Sequence, residues 1–140
     1  MFLQLDEGWN ADPVAPGLQI ARDGDDLLLS FDLNAFQFPP FTEGGRASIR
    51  FRGCWRHRLG PTNDEGWYRG QCRFSRLAPQ WGGFYEVGGD LKLDQAPAGW
   101  VVASDEVEGS RHFLFYMKDE TFECDAASFE LRLPAVAASV

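Results

Sequence analysis

The chain has 140 residues, of which 44% are apolar and 24% charged, the balance of a folded globular domain rather than a disordered tract. Its net charge of −8 argues against a nucleic-acid binder, because a phosphate backbone demands a basic footprint. No apolar run approaches the roughly 18 residues of a membrane-spanning helix, so no membrane association is expected.

At this length one core is buried without help from disulfides or metals, and a single domain over 1–140 is expected. Twelve Phe, five Trp and three Tyr suit pleated, half-buried surfaces and tilt the expectation toward strands. The segment Met1 to Gly8 carries no basic residue and no long apolar stretch. It does not read as a signal peptide, which leaves a cytoplasmic location as the expectation. Cys54, Cys72 and Cys124 are widely spaced and odd in number, the usage of reduced, structural thiols.

In chain order, the first clear element is a hairpin. Leu18 and Ile20 lead into Arg22-Asp23-Gly24-Asp25, and Leu27, Leu29, Phe31 and Leu33 follow at period two. An Asp-Gly between alternating apolar residues is a strong hairpin signal, because the turn needs positive φ. Ser30 and Asp32 keep the opposite face polar. Phe36-Gln37-Phe38-Pro39-Pro40-Phe41 then reads as an extended crossing, since two prolines exclude a central strand. It either tucks over the core or presents its aromatic rings to a partner.

The segment Arg46 to Ser75 reads as a second, longer hairpin. Period two sends Ile49, Phe51, Trp55, Tyr68, Cys72 and Phe74 inward and puts Cys54 with the arginines. Cys54 and Cys72 are then on opposite faces and not disulfide-bonded. Phe84 to Val87 is a short strand, Gly99 to Ala103 another, and Asp105 to Gly109 an acidic turn. His112 to Met117 is apolar on both faces and is expected at the centre of a sheet, covered on both sides. Lys118-Asp119-Glu120 turns it into a strand over Thr121 to Ala126, with Phe122, Cys124 and Ala126 inward. A last strand or short helix, Phe129 to Leu133, stops at Pro134. The expected architecture is mainly β: an antiparallel sandwich or partly closed barrel of about eight to ten short strands, with at most one or two helical turns.

Eight of the thirteen basic residues lie between Arg46 and Arg76, opposed there only by Asp64 and Glu65. The flanks on both sides are acidic. The alternation places Arg50, Arg52, Arg56, Arg58, Arg69 and Arg73 on one face, with Trp67 among them. Three readings compete for this face. Carboxylates pair with the arginines across strands, as guanidinium geometry favours; the face holds an anion such as a phosphate, a nucleotide or a carboxylate, with Trp67 stacking; or it docks a protein, arginine and tryptophan being frequent hot-spot residues.

Catalysis finds little support. The only histidines are His57 and His112. Arg56 and Arg58 flank His57 and disfavour its protonated form, leaving a neutral base. His112 reads as a strand-boundary residue. No zinc-protease, nucleophile-elbow, phosphate-loop or dinucleotide motif is present. Two histidines and three scattered cysteines lack the tight spacing of a zinc site, so no metal and no cofactor is expected.

The stretch Trp55-Arg56-His57-Arg58-Leu59-Gly60-Pro61-Thr62-Asn63-Asp64-Glu65-Gly66-Trp67-Tyr68-Arg69-Gly70, with the strands from Arg111 to Ala126, resembles small uncharacterised bacterial β-rich proteins. The last hairpin, an apolar strand turning into a Phe-Glu-Cys strand, is similar to β-rich immunity proteins of bacterial toxin systems. The resemblance implies a protein partner and carries over no catalytic residue. Two functions are therefore expected. The first is a non-catalytic interaction protein, of the immunity-inhibitor kind. The alternative is a small-molecule anion binder, or an enzyme, using Arg50, Arg52, Arg56, Arg58, Trp67, Arg69 and Arg73.

Overall fold

The computed structural model describes residues 2–12, 17–34, 45–60, 83–88, 99–117 and 120–134. Ten strands run through them: β1 Phe2–Gln4, β2 Gln19–Asp23, β3 Asp26–Asp32, β4 Arg46–Arg52, β5 Arg56–Gly60, β6 Phe84–Val87, β7 Val101–Val102, β8 Arg111–Tyr116, β9 Thr121–Ala126 and β10 Ser128–Arg132. No helix occurs among the described residues. The strands form two antiparallel sheets, ordered β1-β6-β8-β9-β5-β7 and β10-β4-β3-β2. The sheets pack as a sandwich and do not close into a barrel.

The β2–β3 hairpin forms as expected, though the residues that turn are Gly24-Asp25, with Gly24 at φ 58° and Asp23 paired with Asp26. Leu27, Leu29 and Phe31 point into the core while Leu28, Ser30 and Asp32 stay half-exposed. Period-two alternation likewise buries Ala47, Ile49 and Phe51 of β4. From the facing sheet come Phe84, Phe113, Phe115, Phe122, Cys124 and Ala126. Phe51 reaches across to the facing sheet, with ring centroids 5.4 Å from both Phe113 and Phe122 and 6.2 Å from Phe84. Such edge-to-face and tilted pairs contribute beyond the area they bury.

Two features were not visible in the strand pattern. Residues Trp9 to Asp12 strap one end of the core: Trp9 stacks on Phe31 at 5.7 Å and meets Phe115 edge-on at 6.0 Å, while Ala11 bridges Leu33. The other is a change of sheet at Gly53. The alternation of β4 does not run on through Trp55, as a single long hairpin requires. Gly53 adopts φ 58°, and the chain leaves the four-stranded sheet to re-enter the six-stranded one as β5. The β9–β10 connection makes the reverse crossing alongside it, with the Ala127 N–H donating to the Arg52 carbonyl at 2.8 Å.

This crossing overturns the expected place of Cys54. The thiol side chain does not sit with the arginines but in the core, 2% exposed. Trp55 is only half-buried and donates its indole N–H to Ser110 Oγ at 3.0 Å. The expected return strand with Trp67, Arg69, Cys72 and Arg73, and the Phe36–Phe41 crossing, lie outside the described residues. Strand β8 is placed as expected, inside the six-stranded sheet with His112 to Met117 all buried. The segment at 129–133 forms a strand, β10.

Candidate functional site

The change of sheet at Gly53 divides the arginines that period two puts on one face. Arg50 and Arg52 stand on the outer side of the four-stranded sheet. Arg56 and Arg58 belong to the six-stranded sheet, on its side away from the sandwich core, in register with Asp125 and Glu123. The expected single face is thus two faces on opposite sides of the molecule. Trp67, Arg69 and Arg73 fall outside the described residues.

Each group meets carboxylates. Arg50 donates to Asp23 at 2.9 Å and Asp26 at 3.0 Å; Arg52 reaches Asp26 at 3.2 Å and Glu130 at 3.0 Å. Asp26 also accepts the backbone N–H of Gly53 at 3.1 Å, which, with the two guanidinium groups and against partial burial, holds its carboxyl below the usual range. Arg58 lies over Gly60, where an added Cβ would come within 2.7 Å of its Nη1. A side chain at position 60 would make that flexible guanidinium move aside.

Arg56 belongs to a buried network that no sequence motif announced. Its Nε donates to Asp125 Oδ2 at 2.6 Å, and its guanidinium lies 4.1 Å from the Trp100 ring centroid and 4.6 Å from that of Trp55. Asp125 Oδ1 is 2.9 Å from His112 Nδ1, and His112 Nε2 is 2.7 Å from Glu123 Oε2. His112 is not a strand-boundary residue: its side chain is fully buried, as is that of Glu123. Burial pushes the His112 imidazole toward lower pKa, but hydrogen bonds and charge from Asp125 and Glu123 outweigh it and the net direction is upward. Burial pushes Asp125 up, and His112 and Arg56 together hold it below the ordinary value. Arg56, Asp125, protonated His112 and Glu123 then sum to zero charge, the condition for burying four ionisable groups. Both ring nitrogens of His112 are engaged, so neither is presented to a substrate.

The His57 imidazole is held below its ordinary pKa, as expected, though not for the expected reason. Burial is the largest cause of its lowered pKa, followed by the charge of Arg22 rather than of Arg56 and Arg58. Its ring stacks on Phe122 at 6.4 Å and its Nδ1 is buried without a hydrogen-bond partner among the described residues. Among those residues no group of His, Cys, Asp and Glu is placed to hold a metal ion.

No family model, curated protein or solved structure matches this chain. Geometry alone therefore carries the functional reading, and the longest exposed run among the described residues lies at the far edge of the six-stranded sheet. There β7 pairs with β5 through Arg56↔Val102 and His57↔Val101, and the chain continues into a turn. Every residue from Val101 to Gly109 is exposed. Val101 is 54%, Val102 61% and Val107 41% exposed, with Asp105, Glu106 and Glu108 beside them and no basic residue before Arg111. Behind this segment lies a cleft of about 240 Å³ lined by Arg22, Gly24, Asp25, Gly53, Cys54, Ala103, Ser104 and Val107. The sequence marked 105–109 as an acidic turn. The exposure of the valines could not be read from it, because Gly99-Trp100-Val101-Val102-Ala103 is equally the pattern of a buried strand.

Proposed function

We propose that this chain is a non-catalytic protein-binding module, of the immunity-inhibitor kind, that docks a basic protein partner along residues 101–108. The observation that carries the reading is the continuous exposure of that segment, with three valines set among three carboxylates at a sheet edge. Sheet edges are the usual templates for strand addition, and exposed apolar residues on them are normally avoided unless used. Uncompensated acidic charge beside the valines favours a basic partner and speeds its encounter. The acidic flanks of the sequence support the same reading. The carboxylate pairing of Arg50, Arg52 and Arg56 favours a structural role for those arginines. No helix among the described residues is long and apolar enough to cross a membrane. The odd, widely spaced cysteines of the sequence fit a reducing, cytoplasmic setting.

The test is affinity capture with the wild-type chain beside two variants, V101K/V102K and D105N/E106Q/E108Q. The reading requires a basic protein that is retained by wild type, lost by the lysine variant and weakened by the neutralised one. Its binding should fall with salt and protect the 101–107 amides from hydrogen exchange. Capture of nothing, or of a partner indifferent to both variants, would overturn the proposal.

A further inference from the structure

The backbone of β7 has two sides, and only one of them is used. The Ala103 N–H donates to the Trp55 carbonyl at 2.8 Å, and the register pairs Val102 with Arg56 and Val101 with His57. In an antiparallel ladder, residues that exchange hydrogen bonds with the neighbouring strand alternate with residues that do not. Val101 and Ala103 therefore turn their backbone groups toward β5. The N–H and carbonyl of Val102, between them, point away from the sheet. Strand β7 ends the six-stranded order, and no strand among the described residues lies on its far side. Val102 is also the most exposed large apolar residue among them.

The surroundings of this edge decide what it can accept. Asp105, Glu106 and Glu108 follow β7, and no basic residue stands between Val101 and Ser110. A second copy of the chain is a poor occupant. Paired in parallel it sets the same carboxylates against one another, and paired antiparallel about Val102 it offers Asp105 only Gly99. Two copies of net charge −8 also repel on approach. An extended segment carrying cations meets neither obstacle. Its backbone completes the open ladder while its side chains neutralise the acidic turn.

We propose, resting on the docking role assigned above to residues 101–108, that the basic partner binds by strand addition, an extended segment pairing antiparallel with β7 through the N–H and carbonyl of Val102. The pairs between described strands are all antiparallel, and an added strand continues that pattern. The direction fixes the order of residues in the segment. Strand β7 runs toward Asp105, Glu106 and Glu108, so an antiparallel segment reaches them with the residues that precede its paired stretch. The recognised sequence carries Lys or Arg first, then β-branched residues that lie beside Val101 and Val102.

The probe is a capped peptide with lysines in its N-terminal half and alternating valine and threonine in its C-terminal half. A peptide of the same composition in reversed order is the control. In the free protein the Val102 amide should exchange with solvent faster than those of Val101 and Ala103, and bound probe should slow it. V102P removes the outward N–H and none that faces β5, a substitution an edge strand tolerates. It should weaken the probe about tenfold relative to V102A, which gives up the valine side chain but keeps the N–H. The reversed peptide should bind more weakly than the probe.

A Val102 amide already slow in the free protein means the edge is covered and overturns the proposal. So does a Val102 amide that bound probe leaves fast, or equal binding of the two peptides. V102P binding the probe as tightly as V102A, with V101K/V102K still losing it, overturns strand addition alone and leaves docking through side chains. No binding at millimolar probe also sinks strand addition, while capture with V101K/V102K decides the docking role separately. Exchange in the wild-type protein settles the matter even where V102P fails to fold.

Discussion

His112 Nε2 lies 2.7 Å from Glu123 Oε2, both side chains fully buried, while its other nitrogen lies 2.9 Å from Asp125. The register puts His112 directly opposite Asp125, with Glu123 one diagonal step away on the same face of β9. The imidazolium donates to both carboxylates at once. Neutral imidazole has one donor, so on deprotonation one buried carboxylate loses its hydrogen bond from His112.

That geometry gives stability a pH dependence whose sign is determined. The folded-state pKa of His112 is raised above the ordinary 6.5. Its contribution is fully present below that value and is lost as pH rises through the folded pKa. Asp125 is held below 3.8, so its contribution is present above that value and is lost as pH falls through the folded pKa. Urea denaturation across a pH series should show midpoints declining on both limbs. The alkaline decline should vanish in H112F.

Removing one member of the network is harsher than removing a matched pair. H112A removes the cation that donates to both Glu123 and Asp125, and a broken buried pair costs about 3–5 kcal/mol. In H112L/E123L the charge and its partner leave together and apolar volume replaces them. The double variant should therefore be less destabilised than the sum of the singles, by more than the additivity error of about 0.5 kcal/mol. Denaturation midpoints at constant m-value supply the comparison. Strict additivity would mean the two groups do not act as a unit.

A second carboxylate relationship separates Asp26 from Asp23. Both accept from Arg50, but Asp26 also accepts from Arg52 and from the Gly53 N–H that begins the crossing. Exposed ion pairs contribute little and are screened by salt, whereas a backbone N–H at a sheet crossing needs a partner. D26A should destabilise more than D23A. The difference should persist in molar salt, because the backbone bond is not a through-solvent charge interaction. Equal effects of the two substitutions in high salt would remove the special role of Asp26.

What was legible in the sequence follows from where period two holds. The β2–β3 hairpin was readable because Gly24 can supply the positive φ of a tight turn between alternating apolar residues. Strand β8 was readable because a run apolar on both faces belongs inside a sheet. The same rule failed at Gly53, since Ile49, Phe51, Gly53 and Trp55 keep the alternation while the chain changes sheet. A glycine is compatible both with a strand and with the left-handed conformation it actually adopts, and pattern alone does not choose. It failed again at Glu123 and Asp125, which alternation assigns to water. They are buried because Arg56, His112 and Trp100 come together over that face from separate parts of the chain, and no local spacing records this.

The crossing at Gly53 makes the last prediction. Its φ of 58° lies in the region that a Cβ disfavours, yet the nearest atom to a Cβ built there is Ala127 Cβ at 3.6 Å, an ordinary contact. Space is available; only the backbone conformation resists substitution. G53A should therefore cost about 1–2 kcal/mol, the left-handed penalty for an L-residue, and G53N less, because asparagine tolerates that region. At Gly17 the left-handed φ is joined by contacts of 3.0 Å to Asp32 Oδ2 and 3.1 Å to the Arg46 guanidinium. G17A must break or shift the Arg46–Asp32 ion pair as well as strain the backbone, and G17N should give no relief relative to it. Urea midpoints for the four variants check the ordering. If Asn is no better than Ala at position 53, packing rather than backbone conformation governs the crossing.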